Sequence, residues 1–132
     1  MSITIETIES SLATYLASNL TGEGGVAVDI GTPESYLNSE FNNFPLVLIC
    51  YKGCKPYEGM YPGILTFSIY FIEIYYNRKN LYSLMKSTFE NLDNKMPIKN
   101  LNSCFKLSEG DSLYSYDGDI VIYEQQYECV EV

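Results

Sequence analysis

The chain has 132 residues, of which 46% are hydrophobic and 19% charged, and its net charge is −9 at neutral pH. This length predicts one domain over residues 1–132, with enough buried surface to fold without disulfide or metal staples. An acidic chain lacks the clustered Lys and Arg of a nucleic-acid footprint, so sequence-specific nucleic-acid binding is not expected.

The first third of the chain predicts a helix, a short strand and a long loop. Residues 4–20 carry apolar side chains at helical spacing, and Ser2 or Thr4 can cap the helix. Residues 26–30 are typical of a strand. Residues 31–45 predict a loop with one helical turn after Pro33, and loops of that length often make contacts with partners.

The middle third predicts two strands that flank a turn-rich loop. Residues 46–52 are apolar on both faces, which indicates a central strand, and residues 53–62 contain the Gly and Pro of a loop. Residues 63–76 are the longest β-branched and aromatic run and predict a strand. One of its faces is a core face, whereas the other becomes apolar only from Tyr70 onward. Either two helices of the chain or another subunit could cover that second face.

The last third predicts a second helix and three strands. Residues 80–96 have an amphipathic pattern, with Asn80 as N-cap. Strands are predicted at 104–108, 113–116 and 120–130. The turn before the last of them carries the hairpin dipeptide Asp-Gly. The expected fold class is α+β, a mostly antiparallel sheet with two helices packed on one face.

Charge falls into three blocks along the sequence. Residues 1–51 hold six acids and no base, residues 52–106 hold all eight bases with four acids, and residues 107–132 hold seven acids and no base. The basic block could pair with the acidic blocks inside the fold, or head to tail between identical subunits.

Residues that carry catalytic or metal chemistry are scarce. The chain has no His, which excludes Ser-His and Cys-His nucleophile pairs. Its four cysteines include no CxxC pair, so they predict reduced, structural thiols in an intracellular protein. No signal peptide or membrane span is expected at the acidic N-terminus. The sequence therefore predicts no enzyme, no catalytic or metal residues and no cofactor.

The order of elements resembles the small tail-completion proteins of tailed phages. The resemblance is carried by residues 44–49, which read Phe-Pro-Leu-Val-Leu-Ile, by Lys52-Gly53, and by the aromatic strand at 66–75. It is closest to the Mu-like minor tail protein family and extends to tail terminators generally. Such proteins form a ring, commonly hexameric, that caps a tail tube and stops its polymerisation.

The resemblance implies a homo-oligomer without a membrane partner. Its expected neighbours are the tail tube and the sheath or head-connector proteins, first in the cytoplasm of a bacterial host and then in a phage or phage-like tail particle. The candidate subunit or tube contacts are found in both long loops and along the end of the long strand: Tyr36, Tyr57, Tyr61, Tyr70, Ile72, Ile74, Arg78 and Lys79. The alternative is a monomeric binding module that holds a small ligand or glycan with its loop tyrosines.

Overall fold

The computed structural model describes residues 4–20, 26–36, 45–98, 101 and 103–131. The elements within them, in chain order, are α1 (Ile5–Asn19), β1 (Ala27–Ile30), α2 (Pro33–Tyr36), β2 (Leu46–Tyr57), β3 (Met60–Ile74), a 3-10 turn (Tyr75–Asn77), α3 (Lys79–Leu92), β4 (Lys106–Asp117) and β5 (Ile120–Glu131).

The strands form one mostly antiparallel sheet in the order β1-β2-β3-β5-β4. Only β1 and β2 run parallel, and their pairing covers just the first four residues of β2. β3 lies at the centre, with β2 along one side and β5 along the other. The fold class predicted from the sequence, α+β, is confirmed.

Both long helices pack on the same face of the sheet, as predicted. α1 begins after Thr4, whose side-chain oxygen accepts the Thr7 backbone N–H at 3.2 Å. Its apolar stripe shares one core cluster with α3 and with the alternate β3 residues that face the helices. Those β3 residues are fully buried: Leu65, Phe67, Ile69 and Phe71.

Two predicted boundaries are corrected by the sheet. The expected loop at 53–62 is instead a continuous hairpin, because β2 runs to Tyr57 and β3 starts at Met60. The two strands expected at 104–108 and 113–116 are one strand, β4, and its register shifts absorb the Gly of the predicted turn. The predicted hairpin at Asp117-Gly118 is confirmed, with Asp117 paired to Ile120.

The second face of β3 is covered within the single chain. Tyr70 and Ile72 are fully buried in a smaller apolar cluster with Leu48 and Ile122. The register shifts of β4 bring the ring of Tyr114 to 4.9 Å from the ring of Tyr70. Of the two possibilities for this face, the structure shows cover from within the chain, so the candidate contacts Tyr70 and Ile72 lie in the core and are not exposed.

The second long helix begins one residue earlier than predicted and ends at Leu92, four residues before the predicted end at residue 96. Asn80 is not its N-cap; it lies in the first turn, where its amide donates to Glu73 at 3.3 Å. Glu73 is almost fully buried on β3 and also accepts the Ile74 backbone N–H at 2.8 Å. This carboxylate therefore joins the start of α3 to the central strand.

Candidate assembly surface

The β2–β3 hairpin carries exposed aromatic side chains at its turn. Tyr57 pairs with Met60 across a turn formed by Glu58 and Gly59, which have φ of 50° and 76°. Tyr57, Met60 and Tyr61 are 41%, 53% and 79% exposed, and we call these three residues the hairpin tip. Large apolar side chains on a formed hairpin are ordered before any partner binds, which reduces the entropy lost on binding.

The hairpin tip extends past the rest of the sheet. β5 pairs with β3 only from Gly63 onward, so residues 60–62 have β2 as their strand partner. Lys55 forms an ion pair with Glu128 of β5 at 3.6 Å, which ties the base of the hairpin to the body. Pro56 lies in β2 without an N–H to offer, which blocks strand addition at that point.

The remaining candidate contacts lie at the opposite end of β3. Ile74 is half-buried, and Lys79 is exposed at the start of α3. The Arg78 guanidinium stacks 4.0 Å from the centre of the Tyr75 ring and donates to the Tyr75 carbonyl at 3.1 Å. Arg78 is thus held in place by contacts within its own chain.

The structure does not bring the predicted contact residues into one site. Tyr61 and Ile74 are separated by the length of β3, roughly 43 Å at ~3.3 Å per residue. Tyr70 and Ile72 lie in the core between them. Tyr36 is the last residue of α2, and its side chain lies outside the described part of the chain. The hairpin tip is therefore the strongest candidate contact surface among these residues.

A polar network covers part of the sheet face that the helices leave open. Lys52 donates to the Tyr70 hydroxyl at 3.2 Å, and this hydrogen bond raises the pKa of Lys52. The Tyr114 hydroxyl donates to Glu34 of α2, which lowers the pKa of Glu34 and raises that of Tyr114. These contacts hold α2 and β4 over the smaller apolar cluster.

The same face also contains a hydroxyl, a carboxylate and a thiol. The Ser68 hydroxyl donates to Glu124 at 2.6 Å, and the Gln126 amide donates to the same oxygen at 3.3 Å. Burial raises the pKa of the Cys50 thiol, which lowers its thiolate fraction and its nucleophilicity. The hydrogen bond between Ser68 and Glu124 joins β3 to β5 on this face.

Several exposed apolar residues are not among the contacts predicted from the sequence. Met60 belongs to the hairpin tip, and Tyr76, in the 3-10 turn, is 88% exposed. Tyr82 and Phe89 lie a heptad apart on α3 and are also exposed, although the amphipathic pattern predicts that Phe89 belongs to the apolar stripe of the helix. Their spacing places both residues on one side of α3. Whether that side is buried depends on how far β4 covers it, which the local sequence does not show.

Neither a protein family model nor a curated protein matches the sequence. Within the described ranges, no group of three or more His, Cys, Asp or Glu side chains is placed to hold a metal ion. None of the helices described here is both long and apolar enough to span a membrane.

Proposed function

We propose that this chain is a structural assembly protein that caps a phage or phage-derived tail tube as a ring and stops its polymerisation. It would act in the cytoplasm of the bacterial host and then remain in the tail particle. Its proposed partners are copies of itself, the tail tube, and sheath or head-connector proteins. In this proposal the chain carries no catalytic function.

The observation that carries the proposal is the hairpin tip. Tyr57, Met60 and Tyr61 project on a rigid element and contribute little to the core. Tyrosine is enriched at protein interfaces because it combines large apolar area with few rotatable bonds. A solvent-exposed apolar cluster on an ordered projection is typical of a contact with another protein.

The shape of the tip favours assembly over the small-ligand alternative. Sites for small ligands are concave and bury most of the ligand. Tyr57 and Tyr61 lie on a convex turn, and the remaining loop tyrosine that the structure describes in detail, Tyr114, is engaged by Tyr70 and Glu34. A protein surface can cover a convex tip, whereas a small ligand cannot.

A polymerisation assay tests the proposal directly. Tube protein from the gene cluster that encodes this chain is assembled with and without the purified chain, and tube lengths are measured by negative-stain electron microscopy. We expect shorter tubes with extra density confined to their ends. Unchanged lengths and bare ends at a large molar excess of the chain would contradict tail-tube capping.

Two variants sharpen the assay. Tyr61→Asp alters the hairpin tip and should restore long tubes, whereas Tyr76→Asp introduces the same charge at an exposed tyrosine near the other end of β3 and should cap like the wild type. If both variants cap normally, the hairpin tip does not carry the function.

A further inference from the structure

An open groove lies between α3 and β4 on the helix-bearing face of the sheet. It has a volume of about 310 Å³ and is lined by Tyr82, Met85, Lys86, Phe89, Leu107, Asp111 and Gln125. We call it the α3/β4 groove. It exists because the register of β4 shifts between Leu107 and Ser112, which draws this part of the strand out of regular pairing with β5.

The floor of the groove is a fixed hydrogen-bond network. The buried Gln125 amide donates to the Met85 carbonyl at 3.0 Å and to the Asp111 carboxylate at 2.6 Å. The Tyr127 hydroxyl donates to the Gln125 oxygen at 2.8 Å. Because these polar groups satisfy one another, the floor of the groove is preorganised.

The rim combines apolar side chains with opposite charges on its two sides. Tyr82 and Phe89 are 48% and 40% exposed on α3. Lys86 lies between them on the helix, and Asp111 faces it from β4; both are exposed. A partner that fits would bring apolar side chains flanked by one acid and one base.

The hairpin tip has those properties. Its three apolar residues are flanked by Glu58 at the turn and by Lys55, whose side chain is 65% exposed. Glu58 complements Lys86 of the groove. Lys55, which pairs with Glu128 of its own chain at 3.6 Å, would exchange that partly exposed ion pair for one with Asp111. Like charges would meet only if the hairpin entered in the opposite orientation, so the charge pattern selects one direction of insertion.

The hairpin tip cannot reach the groove of its own chain. Leu107 pairs with Tyr127, which pairs with Phe67, so the groove is level with Phe67 along the sheet. Met60 lies seven residues further along β3, roughly 23 Å away at ~3.3 Å per residue. β2 and β4 are also separated by β3 and β5. A hairpin tip that fills the groove must therefore come from another copy of the chain.

We propose that the hairpin tip of one copy inserts into the α3/β4 groove of a second copy. The inference rests on the proposed function, because it supplies the joint between neighbours in the ring. The two surfaces differ, so the contact is head to tail, and each copy keeps a free groove and a free tip until the ring closes.

A complementation experiment tests this joint in the full-length chain. Tyr61→Asp should prevent the hairpin tip from binding and leaves the groove intact. Phe89→Asp should prevent the groove from binding and leaves the hairpin tip intact. Each variant alone should be monomeric by light scattering at concentrations where the wild type assembles. Each should weaken association at least about 30-fold, the effect of a single hot-spot residue. When the two variants are mixed, they should form a one-to-one pair and nothing larger. The pair contains one functional hairpin tip, from Phe89→Asp, and one functional groove, from Tyr61→Asp.

Several results would overturn the inference. One is a mixture that stays monomeric, and another is a Phe89→Asp chain that assembles like the wild type. A wild-type chain that stays monomeric both with and without tube ends is a third.

Circular dichroism checks that each variant folds; if Phe89→Asp does not fold, Lys86→Glu, at an exposed residue, replaces it. Combining Lys86→Glu with Glu58→Lys should then restore assembly, because the pair is reversed. Tyr76→Asp is the matched control and should assemble normally.

Failure of the joint and failure of the proposed function are distinguishable. If the chain binds tube ends but the mixture does not pair, the joint is wrong and capping stands. If the mixture pairs but tubes keep growing in the presence of the wild-type chain, the joint is right and the capping function is wrong.

Discussion

Gly63 is the residue that sets the register of the projecting hairpin. It has a φ of +80°, and a Cβ added there would overlap the Lys55 carbonyl oxygen and approach the Met60 carbonyl oxygen at 2.9 Å. Only glycine allows β2 and β3 to approach this closely where β5 pairing ends. The position of Tyr57 and Tyr61 therefore depends on a residue that itself contacts no partner.

We expect Gly63→Ala to destabilise the fold by at least about 2 kcal/mol, since the overlap is with backbone that cannot rotate away. Urea unfolding followed by circular dichroism measures this. Gly59→Ala is the matched control: it has a φ of +76° but nothing within 4 Å of its added Cβ. It should cost only about 1 kcal/mol, the strain of the left-handed conformation. Equal losses would show that the close approach is unimportant.

The contact between Tyr114 and Glu34 makes part of the stability dependent on pH. The hydrogen bond lowers the pKa of Glu34, so its stabilisation is complete above the ordinary value of 4.5 and is lost as the pH falls through the lowered value. The same hydrogen bond raises the pKa of Tyr114. That stabilisation is complete below the ordinary value of 10.0 and is lost as the pH rises through the raised value.

We therefore expect Tyr114→Phe to lower the free energy of unfolding at neutral pH, by less than about 1 kcal/mol because the pair is exposed. The ring contact with Tyr70 is retained, which isolates the hydroxyl. The difference from the wild type should shrink in acid as Glu34 becomes protonated in both states. Unfolding curves across this range measure it; a gap that persists well below pH 4.5 would refute the assigned hydrogen bond.

At the scale of elements, sequence patterns predicted those helices and turns whose formation depends on residues close together in the chain. α1 could be placed because its apolar spacing and its Thr cap lie within the helix itself. The hairpin at 53–62 was missed because Gly, Pro and Tyr are typical of loops, whereas Pro56 is tolerated in a strand whose outer edge needs no N–H donor. The fate of Tyr70 could not be predicted, because Tyr114, which packs on it, is distant in sequence.

The candidate contact surfaces also differ in how far the sequence predicts them. Tyr57 and Tyr61 could be identified as exposed aromatic residues in a turn-rich stretch, and the structure adds that they are held on paired strands. The α3/β4 groove could not be found from sequence, because it depends on where β4 departs from regular pairing with β5. Gly110 marks that departure, but the same residue is equally typical of a turn.

The start of α3 depends on a buried carboxylate in place of a conventional cap. Arg78, at the N-cap position, makes no side-chain capping hydrogen bond, while Glu73 binds Asn80 in the first turn. We expect Asn80→Ala to cost about 1–3 kcal/mol in unfolding free energy, because it removes a donor from a buried acceptor. Asn77→Ala, at an exposed asparagine before the helix, should change stability by no more than about 0.5 kcal/mol. Similar losses for both variants would argue against the Glu73 contact.

At the scale of the whole molecule, an ion pair links two of the three charge blocks within the described part of the chain. Lys55 and Glu128 connect the basic middle with the acidic C-terminal block at 3.6 Å. Lys86 and Asp111 remain exposed on the two sides of the α3/β4 groove. Both kinds of charge pairing that the sequence allows, within the fold and between subunits, are therefore compatible with the structure.

Head-to-tail association through these charges should weaken as salt is added. Between 50 and 500 mM NaCl the screening length falls from about 14 Å to about 4 Å, so we expect the dissociation constant to rise about tenfold. Light scattering over a concentration series at each salt measures it. Lys86→Gln is the control: it removes the charge that meets Glu58 but keeps the stem, so association should persist with a shallower dependence on salt. An association that strengthens with salt would instead indicate a joint held by the apolar tip alone, since salting-out favours apolar burial.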